Sequence, residues 1–444
     1  MTATGWRLNI PAGARPYTER APIAALLLGI SSGFPFAMIA ATLTTRLAEA
    51  GIDKKAVTAF ALGILIYSLK PIWAPAVDKL RIPFLARAIG QRRAWLVVAA
   101  VMVMASVAWL GATDPVHAIG GTVAAALAVA FSGATYDIVI DAVRIESLTP
   151  RQLGVGSGMA QYGWRIGSAG AGAIVLFVAT RAGWPVAYLS VTLFALPALV
   201  AGWLVGEPAR HVETVSRRGL AAVRDAVIAP LADFARREGA FVVLVFILIH
   251  KMGDTIANLS FRLLFHDLGF SKDEVATYDI GFGLVAYLVG LFVGGIVYTR
   301  IGMKRAVLVG LVMMAFSNLS FSLLASYGHS TTGLAAAIGL ENFSASIGDV
   351  AIVAYLSALC NLRFTATQFA LLSSARAIFG RFVSGTTAGA LIERVGYVEF
   401  YMLTALMTVP GILVYLYMLR RGLVDAADTP EDDGDRVAGG PVPV

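Results

Sequence analysis

The sequence predicts an all-α integral membrane protein of about twelve membrane-spanning helices in two six-helix halves. Three observations carry this. Of 444 residues, 58% are hydrophobic and only 14% charged, with a mean hydropathy of +0.75, whereas soluble domains carry about 25% charged residues. Apolar runs of about 20 residues, the length a helix needs to cross a bilayer, recur along the chain. One polar interval divides them six and six. The short alternating strands of a transmembrane barrel, roughly 10 residues each, are not the pattern.

The N-terminal half, 1–206, has runs near 21–47, 55–76, 94–112, 118–143, 154–180 and 184–206. The first follows a polar stretch holding Arg7, Arg15 and Arg20 and ends without a small-residue cleavage site, so a retained helix is expected. Within it, Gly29-Ile-Ser-Ser-Gly33-Phe-Pro35 lets a neighbouring helix approach closely or the chain bend around a site. The interval 207–238 reads as a cytoplasmic linker. In it Leu220, Val223, Val227, Leu231 and Phe234 recur at helical spacing between Arg and Asp residues, the pattern of a surface amphipathic helix. The C-terminal half, 239–421, has runs near 239–263, 275–297, 304–327, 331–358, 366–390 and 397–419. The remainder, 422–444, is acidic and rich in Gly and Pro, and disorder is expected there.

A net charge of +7 raises the possibility of nucleic acid, but the basic residues sit in short clusters between apolar runs. Lys79, Arg81, Arg87, Arg92, Arg93, Arg144, Arg151, Arg236, Arg237, Arg300, Lys304, Arg305, Arg363, Arg420 and Arg421 fall in one alternating set of connections. The other set is poorer, with Arg46, Lys54, Lys55, Arg181, Lys272 and Arg394. The positive-inside rule then places both termini in the cytoplasm and excludes a nucleic-acid partner. The single cysteine, Cys360, rules out an internal disulfide.

Charges inside a membrane are costly and mark function. Lys70 lies in the second run, Tyr136, Asp137 and Asp141 in the fourth, and Gln161 and Arg165 in the fifth. The seventh holds His250, Lys251, Asp254, Asn258 and Arg262, and the eighth Asp279. Glu341, Asn342 and Asp349 lie in the tenth, and Gln368, Arg376 and Arg381 in the eleventh. The third, sixth, ninth and twelfth runs have essentially no charge away from their ends. Lys251, Asp254, Asn258 and Arg262 form one helical stripe, and Gln161 and Arg165 share a face. Nearest mid-membrane are Arg165, Lys251, Asp254, Glu341 and Arg376, where transporters bind their cargo. His250 is given no role, and Trp164 and Tyr355 read as packing aromatics.

Asp78, Arg92, Arg93, Asp141, Arg144 and Arg300, with Glu146, lie near the cytoplasmic face and read as a charge network latching a gate. Lys70 and Asp137 lie deeper and suit either the gate or the transport path. Metal and cofactor sites are not expected: no His/Cys cluster has ligand spacing, and neither a P-loop nor a G-x-S-x-G occurs. A transporter without an ATP motif runs on an ion gradient or by diffusion. Intramembrane carboxylates make the proton the natural coupling ion.

Gly295-Ile-Val-Tyr-Thr-Arg300-Ile-Gly302-Met-Lys304-Arg305 fits the loop G-x-x-x-(D)-R-x-G-x-(K/R)-(K/R) of the major facilitator superfamily, with Thr299 where Asp is usual. A related loop runs from Asp78 to Arg93 in the first half, with an insertion. Tyr67-Ser-Leu-Lys70-Pro-Ile-Trp73-Ala-Pro75-Ala-Val-Asp78, Asp137-Ile-Val-Ile-Asp141, His250-Lys251-Met-Gly253-Asp254, Glu341-Asn342-Phe and Phe364-Thr-Ala-Thr-Gln368-Phe-Ala-Leu-Leu372-Ser add to it. With these the chain resembles the AmpG-type muropeptide permease family of that superfamily, from about residue 24 to 410.

The resemblance implies a major facilitator fold and proton symport of an anhydro-muropeptide, an anionic sugar-peptide, across the bacterial inner membrane for cell-wall recycling. Lys70, Gln161, Arg165, Lys251, Asn258, Asn342 and Arg376 are then the expected substrate ligands, suited to its carboxylates, hydroxyls and amides. Asp137, Asp254 and Glu341 are the expected proton-coupling groups, in a monomer. The chain departs from the family pattern at Tyr136, at Asp279-Ile280 and at Ser344 to Asp349, which makes its cavity more acidic. Rival readings are a permease of this fold for acyl-coenzyme A or a siderophore, and a non-transporting membrane assembly factor.

Overall fold

A computed structural model describes residues 12–52, 60–208 and 220–425, and among them every regular element is helical. Eight helical runs are long and apolar enough to cross a membrane. Two of these hold a pair of spans each. Leu153–Val205 is turned at Gly183 (φ 79°) and Lys272–Tyr327 at Gly302 (φ 78°). Gly396 (φ 81°) likewise parts the eleventh span from the twelfth. Only glycine enters this left-handed region without steric cost, so three glycines convert long helices into hairpins.

The spans in order are Arg20–Glu49, 61–79, Gln91–Ala112, Ile119–Ser147, 153–182 and 184–205 in the first half. The second half has Ala240–Asp267, 272–301, 303–327, Thr331–Ala358, 365–395 and 397–420. These are the twelve spans and two halves that the hydropathy implies. Two local departures matter. The second span is a 3-10 helix over Ala61–Ile72 before Ala74–Lys79, and Pro71 and Pro75 withhold backbone donors where the two meet. The seventh span is broken: Ala240–Ile249 ends, Lys251 takes φ −110° and ψ 9°, and Met252–Asp267 follows.

Glycines join the first and fifth spans backbone to backbone. A Cβ on Gly29 would lie 2.1 Å from the Ala160 carbonyl oxygen, and one on Gly33 2.2 Å from that of Trp164. Facing them, a Cβ on Gly163 or Gly167 would lie 2.0 Å from the Leu26 or Ile30 oxygen. Lipid supplies no hydrophobic drive between helices, so such close packing is what binds them. It also fixes the rotation of the fifth span, and hence where Gln161 and Arg165 stand.

A helix runs over Leu220–Ala235, and its end meets other parts of the chain. Asp233 accepts from Gln368 Nε2 at 2.8 Å, Arg237 Nη2 at 2.7 Å and Asn361 Nδ2 at 3.1 Å. Gln368 therefore anchors the linker to the start of the eleventh span. Arg46, counted from sequence as a loop charge, is buried at 4% exposure. It donates to the carbonyls of Leu110, Gly111 and Thr113, capping the third span's C-terminal end. Lys54, Lys55, Arg217, Arg218 and the acidic tail beyond 425 lie outside the described residues.

Candidate functional site

The arginine-rich end of the bundle carries a closed charge network. Arg92, fully buried, sits between Asp78 (Nη2 to Oδ1, 2.9 Å) and Glu146 (Nε to Oε2, 2.9 Å; Nη2 to Oε1, 2.5 Å). A buried cation survives only when paired this fully. Asp78 then reaches the other half, accepting from the Thr367 backbone N–H at 2.9 Å and hydroxyl at 2.7 Å. Its carboxylate thus caps the positive end of the eleventh span. Arg144 crosses as well: it pairs with Asp141 at 3.1 Å, reaches Ser357 at 3.3 Å and lies 5.2 Å from the Phe369 ring centre.

Four of the expected gate residues therefore come together, Asp78, Arg92, Asp141 and Arg144. Two do not. Arg93 donates from Nε to the Gly202 carbonyl at 3.0 Å and its backbone meets Glu207, so it fastens the third span to the sixth within one half. Arg300 is exposed on the eighth span. Glu146 and Thr367 complete the bonded network instead.

Deeper in the first half, Lys70 and Ser32 both bond the Asp137 carboxylate, joining the second, first and fourth spans. Tyr136 leaves this path. It is fully buried and donates its hydroxyl to the Ala195 carbonyl at 2.7 Å, so it packs the fourth span against the sixth.

A second polar cluster lies mid-membrane where the halves meet. The helix break puts Lys251 at the start of Met252–Asp267, with Nζ 2.9 Å from Asp349 Oδ1 and 3.8 Å from Asp254 Oδ2. The other oxygen of Asp349 lies 3.4 Å from the Tyr287 hydroxyl. Tyr287 meets the Gln161 amide across the interface at 2.8 Å, and the Arg165 guanidinium lies 4.6 Å from its ring centre. This is the innermost of a series of contacts between the fifth and eighth spans: Tyr298 to Pro150 O at 3.2 Å, Gly158 beside Leu291, and Tyr162 to Leu288 O.

Behind Lys251, Asp254 and Glu341 are both almost wholly buried, and Asn258 Nδ2 lies between the Asp254 backbone carbonyl at 3.0 Å and the Glu341 carboxylate. Asn258 Nδ2 donates to Glu341 Oε1 at 3.0 Å and Ser317 Oγ to Oε2 at 2.6 Å. Asn342 bonds its own helix at Ile338 O, 3.0 Å, beside Gly283. The side chain of Arg376 lies outside the described residues.

The acidic departures are neutralised. Asp279 pairs with Arg262 at 2.8 Å, and Asp349 with Lys251. The expected gain in cavity acidity is therefore offset by cations already present. Tyr287 was not legible as a site residue: an aromatic in an apolar run reads as packing, and its hydroxyl changes hydropathy little. No group of three or more potential metal ligands occurs among the described residues.

The fold and this polar interior are those of a membrane transporter. A family model described as "Major Facilitator Superfamily" matches residues 243–439. The anhydromuropeptide permease of Escherichia coli (strain K12) is 33% identical over 393 residues, covering 88% of this chain and 78% of that protein. The human organic anion transporter MFSD10 (TETRAN) aligns with TM-score 0.63 at 13% identity, over 91% of this chain and all of that one. The proton:xylose symporter XylE bound to 6-bromo-6-deoxy-D-glucose aligns with TM-score 0.61 at 16% identity, over 91% of this chain and 95% of that one.

The chain belongs to the AmpG-type permease family of the major facilitator superfamily. It is a multi-pass membrane transporter of small molecules, and its relatives are permeases, not enzymes.

Proposed function

We propose that this protein imports anhydro-muropeptides from periplasm to cytoplasm by proton symport, for cell-wall recycling, as a monomer in the bacterial inner membrane with both termini cytoplasmic. The observation that carries the reading is the mid-membrane cluster between the halves, with Lys251, Arg165 and Gln161 on one side of an acid pair, Asp254 and Glu341. The relative whose printed name is anhydromuropeptide permease supports the cargo.

Cations, amides and a phenol at one place suit a ligand carrying carboxylates, hydroxyls and peptide groups. Lys70 with Asp137, Asn258 and Asn342 extend that lining. Alternating access follows from the two regions. With Asp78, Arg92, Glu146 and Arg144 engaged, the arginine-rich end is shut and cargo enters from the opposite side. A proton taken up by Asp254 and Glu341 from the outer side and released toward the cytoplasm drives the cycle. The rival permease for another ligand drew on the altered eighth and tenth spans, and the pairing of Asp279 with Arg262 and of Asp349 with Lys251 supports the muropeptide reading over it.

The test is uptake of labelled anhydro-muropeptide by proteoliposomes with an acidic exterior. Gradient-dependent accumulation is expected. Equal uptake with and without the gradient sinks symport, and no uptake of this cargo sinks the substrate.

A further inference from the structure

We propose that the insertion between the second and third spans, residues 80–90, binds the headgroup of an anionic phospholipid, with Arg81 and Arg87 on its phosphate and Phe84 among its acyl chains. This site is separate from the transport path and holds whatever the cargo is.

The two halves differ at this place. The eighth and ninth spans turn at Gly302 alone, whereas residues 80–90 stand between Lys79 and Gln91. That insertion carries Arg81 and Arg87 and no acidic residue. Both arginines are exposed, and neither side chain has a hydrogen bond or ion pair among the described residues. With Phe84, Gln91 and Glu207 they line a cavity of about 630 Å³ at the arginine-rich end of the bundle. Glu207 is already engaged, since its oxygens accept the backbone N–H groups of Arg92 at 2.8 Å and Arg93 at 3.2 Å. Gln91 Nε2 donates to the Asp78 carbonyl at 3.1 Å and Trp95 Nε1 to that of Leu80 at 2.9 Å, which fixes the base of the loop. The two guanidinium groups are left to an outside anion, and phosphate oxygens match their fork of donors.

The anion is a lipid's, because apolar side chains stand beside the arginines. Leu80 is 58% and Phe84 84% exposed, at the level where one span ends and the next begins. Phe84 is held outward by a strained turn: its φ is 63° and ψ −54°, and the Leu85 N–H donates to the Pro83 carbonyl at 2.7 Å. A bulky residue in this region is an outlier that points to use. In water the exposed ring gains nothing. At a bilayer surface it is buried among acyl chains, while the arginines lay their stems along apolar surface and their heads on phosphate.

The test is hydrogen–deuterium exchange over residues 80–90 of the full-length protein, read by mass spectrometry in nanodiscs of phosphatidylcholine alone or mixed with phosphatidylglycerol. Phosphatidylglycerol is expected to slow exchange there several-fold. Arg81→Gln and Arg87→Gln should each need about fivefold more of it for half of the slowing, and the double variant should lose the response. Phe84→Gly, which relaxes the turn, should weaken the response about tenfold. These substitutions change exposed side chains, so the fold is retained. Equal exchange in the two lipids overturns the proposal, as does undiminished slowing in the double variant. An unchanged response in Phe84→Gly also overturns it, because basic attraction alone then suffices. Slowing by glycerol 3-phosphate in detergent, which has the phosphate without acyl chains, would assign the cavity to a free anion and overturn the lipid.

Discussion

The two charged regions of this transporter are built from the same residue types and differ in how fully each charge is satisfied. At the arginine-rich end, Arg92, Asp78 and Glu146 have side-chain exposures of 0–1% and bonds of 2.5–2.9 Å. In the mid-membrane cluster, Lys251 and Asp349 keep 22% and 16% exposure, and contacts stretch to 3.4 and 3.8 Å. Complete pairing suits the proposed latch, and incomplete pairing suits the proposed binding of a solute and a proton.

The largest effect is expected from breaking the lock. Arg92→Ala removes the cation between two buried carboxylates, Asp78 and Glu146, a loss of about 3–5 kcal/mol, read as a fall in thermal unfolding temperature in detergent. Next comes the carrier. Glu341→Gln keeps the bonds to Asn258 and Ser317 but cannot exchange a proton, so gradient-driven accumulation is lost. Counterflow exchange and folding are retained, and the two assays run side by side show it.

Thr367→Val is smaller. It removes the hydroxyl bond to Asp78 while the backbone bond stays, which costs roughly 1.5–3 kcal/mol for a charge-assisted contact. Accessibility of the buried Cys360 at the arginine-rich end should rise, and unchanged accessibility would separate Asp78 from the proposed latch. Tyr287→Phe removes the bond between the halves, worth about 1 kcal/mol, and is expected to shift the KM for uptake a few-fold. Smallest is Arg262→Ala. Its side chain is 66% exposed, and exposed pairs contribute roughly 0–1 kcal/mol, so uptake should stay close to wild type.

Much of the fold is legible in the sequence because bilayer thickness imposes it: span number, halves and the polar interval follow from hydropathy. The site is legible only as far as one helix reaches. The spacing of Lys251, Asp254 and Asn258 puts them on one face, and Asn258 does meet Glu341. Which neighbour a charge meets depends on helix rotation, set here by contacts such as Gly29 and Gly33 against the fifth span. That is why Asp349 could be noted as unusual without its partner being evident. It is also why Arg93 and Arg300 looked equivalent to Arg92. The break at Lys251 was hidden as well, since no proline marks it and His250, Lys251 and Asp254 read as polar residues of one continuous helix.

The most direct measurement is accumulation of labelled anhydro-muropeptide in proteoliposomes, acidic outside, for the wild-type chain and Glu341→Gln together. Accumulation above equilibrium in the wild type, reduced in the variant to the level reached without a gradient, is the expected result. Undiminished accumulation by Glu341→Gln would contradict the assignment of the acid pair as the proton carrier.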